Sequence, residues 1–131
     1  MSVLTAFNEH FTEFVNDIHQ VFPEDNDILF AKNAFSAIRR VNPRMIIKIW
    51  NSYIANKYHE QIEAGNIEFF IGKDYSQDLA NADNSSRITD AIDRLRNPIK
   101  SMNSEDQAKT MKYIQNLSNL ARLYENTLTK K

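Results

Sequence analysis

Cysteine is absent from all 131 residues, which excludes disulfides, thiolate nucleophiles and cysteine-held zinc or iron–sulfur clusters. A reducing compartment is compatible with that absence. Glycine occurs twice, at Gly65 and Gly72, and no Lys-Ser/Thr follows either, so no glycine-rich phosphate cradle is present. A Gly-x-Ser-x-Gly nucleophile turn is also lacking. The longest strongly apolar run, "MIIKIW" (45–50), is interrupted by Lys48 and falls far short of the ~20 residues that span a bilayer. The opening "MSVLTAFNEHFTEF" has neither the basic start nor the unbroken apolar stretch of a signal peptide. A soluble, non-secreted protein without a membrane partner is expected, and "NSS" at Asn84 and "NLS" at Asn116 read as chance matches to the glycosylation pattern.

Charge is missing by sign as well. Residues 1–31 contain no Lys or Arg, and residues 32–59 contain no Asp or Glu, although the whole chain nearly balances at a net −1. The molecule therefore has no overall field that gathers nucleic acid or anionic lipid, and any electrostatic function must be local. Two rows of like charge stand out at helical spacing: Glu9, Glu13 and Asp17, then Arg40, Arg44 and Lys48. Each i,i+4 like-charge pair costs a few tenths of a kcal/mol in isolation, so an opposite charge is expected to compensate. Two arrangements satisfy this. The first and third helices lie side by side with the rows facing each other, or the rows are docking surfaces for partners or neighbouring copies.

What is present is helical periodicity. From Val3 to Phe22, apolar residues recur at three and four (Phe7, Phe11, Phe14, Ile18 among them), predicting an amphipathic helix stopped by Pro23. A second begins near "PEDND" and carries Ile28, Leu29, Phe35, Ile38 and Val41 inward; Asn42-Pro43 ends it and starts a third that runs to about Ala64. Trp50 and Tyr53 fall on that helix with Met45, Ile46 and Ile49, opposite Arg44 and Lys48, so they read as core rather than as base-stacking platforms.

Gly65 stands where a helix end wants a positive φ, and Gly72 follows one short turn later. The segment between reads as a hooked loop in which Phe69 and Phe70 anchor a chain reversal. Asp74 or Ser76 then caps a short helix carrying Leu79. Residues 80–86, "ANADNSS", form the best linker candidate. A fourth helix from about Ser86 buries Ile88, Ala91, Ile92 and Leu95, places Asp90 and Arg94 as an outer i,i+4 pair, and ends or kinks at Pro98. "SEDQ", 104–107, reads as a capping box for the last helix, whose stripe of Tyr113, Ile114, Leu117, Leu120, Ala121, Tyr124 and Leu128 is wide enough to suggest self-association. No strand-like alternation occurs. The expected fold is all-α: one compact bundle of about five helices, with a three-helix part and hook over 1–79, the linker, and two helices over 87–131.

Candidate chemistry is sparse. His10, His19 and His59 are not spaced to converge and read as structural or surface residues, and Asp74 with Asp78 has no second carboxylate pair to complete a two-metal site. No catalytic residue, metal, cofactor or small-molecule substrate is expected.

Three stretches, "FNEHFTEFVNDIHQVFPEDNDI", "NPRMIIKIWNSYI" and "FFIGKDYSQDL", resemble a group of small, uncharacterised helical proteins of large nucleocytoplasmic DNA viruses, algal and amoebal giant viruses among them. The resemblance covers about residues 7 to 79 and brings no catalytic motif. It implies a virus-encoded accessory or virion component, minor capsid or core-associated, located in the infected cell's cytoplasm or in the particle. The expectation is a non-enzymatic protein docking on protein partners through Glu9, Glu13, Asp17, Arg40, Arg44 and Lys48. The alternative is a nucleic-acid-associated factor using the same basic row with Lys109 and Lys112.

Overall fold

The computed structural model describes residues 2–71 and 86–129. Helix α1, Val3–Val21, is opened by Ser2, whose Oγ accepts from the Thr5 amide at 3.1 Å. Its apolar stripe buries Phe7, Phe11, Phe14, Val15 and Ile18. Asp25 opens α2, Asn26–Val41, its carboxylate accepting from the Asp27 and Ile28 amides at 2.8 and 3.1 Å. The α2 stripe is narrower than its sequence suggests. Ile28, Ala31, Phe35 and Ile38 are buried, whereas Leu29 and Val41, expected inward, are exposed.

The expected third helix is divided. An α-helical turn and a half, α3 (Met45–Trp50), passes directly into a π-helical segment, Asn51–Ala55, closed by the Asn56 amide on Asn51 O at 2.9 Å. After a turn at 56–58 the chain resumes as α4, His59–Glu63. Trp50, immediately before the wider turn, is completely buried and donates Nε1–H to Ser118 Oγ at 3.1 Å. Helix α4 ends in a Schellman motif, with the Asn66 amide on Gln61 O at 2.9 Å, the Gly65 amide on Ile62 O at 3.1 Å, and Gly65 at φ 72°.

The hook contains a single helical turn, α5 (Glu68–Ile71), in which Phe70 is fully buried. The Phe69 side chain and Gly72 lie outside the described residues, as do the short helix expected near Asp74 and the linker to residue 85. Helix α6, Ser86–Arg94, breaks at Leu95 rather than at Pro98. Pro98 sits instead in the first turn of α7, Arg96–Lys100, where its missing amide costs no hydrogen bond. The cap of α8, Ser104–Thr129, is Asn103 and not Ser104: Asn103 Oδ1 accepts from the Asp106 amide at 2.8 Å. Gln107 turns away from the expected box, donating Nε2–H to Ile99 O at 3.1 Å.

These elements close on one all-α core with no strand among the described residues. Helix α1 lies between α8 and α2, and α2 packs in turn on α6. The centre is aromatic. The Phe11 ring meets those of Phe35 and Trp50 edge-on at 4.6 and 5.7 Å between centroids, and Phe14 bridges Trp50 to Tyr113. Full burial of each such side chain is worth about 1.5–3 kcal/mol, so this cluster ties α1, α2, α3 and α8 together.

Candidate functional site

The acidic row lies on α1, but its members have different environments. Glu9 and Glu13 face solvent, with the His10 ring beside Glu13 at 3.7 Å. Asp17 is turned towards α8, where its Oδ2 accepts from Tyr113 Oη at 2.5 Å and lies 3.5 Å from Lys109 Nζ. Burial of the Tyr113 phenol, and then its hydrogen bond to Asp17, push its pKa well above the ordinary tyrosine value, because ionisation there would place a second negative charge against the carboxylate.

The basic row occupies the corner between α2 and α3. Arg40 is in the last turn of α2, Arg44 immediately precedes α3, and Lys48 is within it; all three are exposed. Among the described residues none of the three forms an ion pair. Between Arg40 and Arg44, Val41 projects with 85% of its surface exposed. The corner is thus a small apolar knob with cations on both sides.

The two rows do not face each other, although α1 and α3 touch. The contact lies on another edge of α1: Phe11 meets Trp50 of α3, and beside it Asn8 Nδ2 donates to Pro43 O at 2.9 Å and Thr12 Oγ1 accepts from Arg39 Nη1 of α2 at 3.2 Å. That edge is turned away from Glu9 and Glu13 about the helix axis. The compensation for Asp17 comes from α8 instead. Lys109 is therefore engaged away from the basic corner, and Lys112 lines a shallow groove with Gly65 and Gln115. Trp50 and Ile46 are buried and Tyr53 is partly buried, leaving no aromatic ring of α3 on the cationic surface.

Several placements depend on contacts that sequence reasoning missed. Lys32 Nζ reaches His19 Nδ1 at 3.5 Å, so Lys32 and Arg39 both extend from α2 across to α1. Arg96 is buried: Nε donates to Asp93 Oδ1 at 2.9 Å, Nη1 to Phe70 O at 2.5 Å, and the guanidinium stacks on the Phe70 ring at 4.3 Å. Its position among Leu95, Pro98 and Ile99 was the available signal. Arg94 keeps the expected pair with Asp90 at 3.2 Å, adds Asp27 at 2.9 Å, and lies over the Phe30 ring; Asp90 first, then Asp27, raise its pKa. Asp74 and Asp78 lie outside the described residues, and among the described residues no group of three or more His, Asp or Glu converges on a metal position. No helix among the described residues is long and apolar enough to cross a membrane.

Compared with family models, with curated proteins and with solved structures, the chain matches none of them.

Proposed function

We propose that this chain is a non-enzymatic interaction protein that docks an acidic protein surface on the corner formed by Arg40, Val41, Arg44 and Lys48. The observation that carries this reading is Val41, 85% exposed between arginines that form no ion pair among the described residues. An exposed apolar side chain with a cationic rim matches the anatomy of a protein contact, in which a small buried centre supplies affinity and the surrounding charge supplies orientation and association rate. The inward aromatics favour a protein over single-stranded nucleic acid, which is held by stacking. A virus-encoded accessory or virion role, minor capsid or core-associated, is what the sequence resemblance implies, and that setting is part of the proposal.

The test is capture from the native source with the tagged wild-type chain and with the triple variant Arg40→Glu, Arg44→Glu, Lys48→Glu. The expected outcome is an acidic protein retained by the wild type, released by high salt, lost from the variant, and recovered at a low 260/280 absorbance ratio. Nucleic acid that binds at low salt and leaves at high salt would replace this reading with the nucleic-acid one. Self-association through the end of α8, where Leu123 and Leu128 are exposed, is a separate part of the proposal; a concentration-independent monomer mass in light scattering removes it.

A further inference from the structure

A cavity of about 220 Å³ opens between α1, α2 and α3, outside both charged rows. Its floor is apolar, made by Phe11, Val15, Phe35 and Ile46, all buried. Its mouth is cationic. Lys32 and Arg39 stand on either side of Ser36 along one face of α2, and each reaches across to α1, Lys32 to His19 at 3.5 Å and Arg39 to Thr12 at 3.2 Å. Among the described residues no carboxylate lines the cavity. Those crossings hold the positive ends over the opening, a preorganised seat for an anion.

The wall on α1 is incomplete in hydrogen bonding. Asn8, 3% exposed, has its amide orientation set by donation to Pro43 O, which leaves Oδ1 buried with no partner among the described residues. Asn16 Oδ1 on the same wall is also buried without one. Both oxygens are closed to solvent, so the cations and the apolar floor are what a guest in the cavity meets. The volume equals about seven waters, which sets the scale of the guest.

We infer that this cavity binds a small carboxylate carrying a branched apolar body, with the carboxylate between Lys32 and Arg39 and the body on the Phe11–Ile46 floor. No such ligand is expected from the sequence, because the cations and the floor are contributed by different helices.

The probe is 2-hydroxy-4-methylpentanoate, titrated into the full chain with the Val15 and Ile46 methyl resonances observed by NMR. Saturable shifts at both methyls are expected. 4-Methylpentan-2-ol, which lacks the charge, and inorganic phosphate, which lacks the body, should each bind at least tenfold more weakly. The double variant Lys32→Gln, Arg39→Gln should weaken the hydroxy acid at least tenfold, with circular dichroism confirming the fold. Should that variant lose its fold, Ser36→Leu fills the opening while keeping both cations and should likewise abolish the shifts. Absence of saturable shifts, phosphate binding as tightly as the hydroxy acid, or undiminished binding by the folded variants would each overturn the inference.

Discussion

Tyr113 and Asp17, 96 positions apart in the chain, share a hydrogen bond of 2.5 Å that joins the middle of α8 to the last third of α1. It converts one member of a like-charge row into a fixed contact, while Glu9 and Glu13 remain in solvent. Asp17 is 33% exposed and can still be hydrated when its partner is removed. Tyr113→Phe should therefore cost only about 0.5–1.5 kcal/mol in urea unfolding, the worth of one hydrogen bond without a stranded charge.

The same pair sets a pH dependence. The folded phenol has its pKa raised above the unfolded value of about 10, so above that pH the unfolded chain releases its proton while the folded chain retains it. The stabilisation is complete below pH ~10 and is lost as pH rises further towards the folded pKa. The wild-type stability advantage over Tyr113→Phe should shrink between pH 9 and pH 11, measured by urea titration of both proteins; an advantage that is constant across that range would remove the assignment.

Ser118 tests the centre of the core. Its hydroxyl accepts from the Trp50 indole at 3.1 Å, and both residues are buried. Ser118→Ala strands the indole donor and should destabilise by about 1–3 kcal/mol, with a change in Trp50 fluorescence in the native state. Unchanged stability would mean that the indole finds another acceptor.

Gly65 isolates a backbone effect. Among the described residues a Cβ placed there would meet only Gln115 Nε2, at an ordinary 3.7 Å, so space is not the obstacle. The obstacle is φ 72°, which an L side chain occupies at about 1–2 kcal/mol. Gly65→Ala should lose roughly that amount in thermal or urea unfolding. Gly65→Asn should lose less, because asparagine tolerates the left-handed region.

The basic corner should respond in the opposite manner. Arg44 and Lys48 are exposed and form no ion pair among the described residues, so Arg44→Glu with Lys48→Glu should shift stability by no more than about 0.5 kcal/mol while partner capture is lost. Unfolding of this variant would mean that the row is structural, and the proposed function would lose its basis.

Much of the architecture was legible in one dimension because it depends on local spacing. The α1 stripe, the helix start near "PEDND", the Pro23 stop and the helix end at Gly65 each follow from residues within a turn or two of one another. The failures have local causes in some places and tertiary ones in others. The capping signal at Ser104 competed with Asn103 one residue earlier, and Asn103 formed the cap. The third helix looked continuous because apolar residues (Trp50, Ile54, Tyr58, Ile62) go on recurring every four positions through the π-helical segment, so nothing local marks the wider turn. Val41 matched the α2 stripe in register, yet α2 ends there and no described element covers it.

The candidate sites divide in the same way. The sequence by itself determined that the chain is helical, that it has no cysteine chemistry, and that acid and base are segregated along it, since these are properties of composition and short-range order. Only the tertiary structure decided that Asp17 belongs to α8, that Arg40, Arg44 and Lys48 stay exposed around Val41, and that Lys32 and Arg39 bridge a cavity towards α1. Periodicity tells which side of a helix is apolar. Which charged edge then meets another helix depends on how the helices rotate as the aromatic core packs, and that rotation is a property of all of them together.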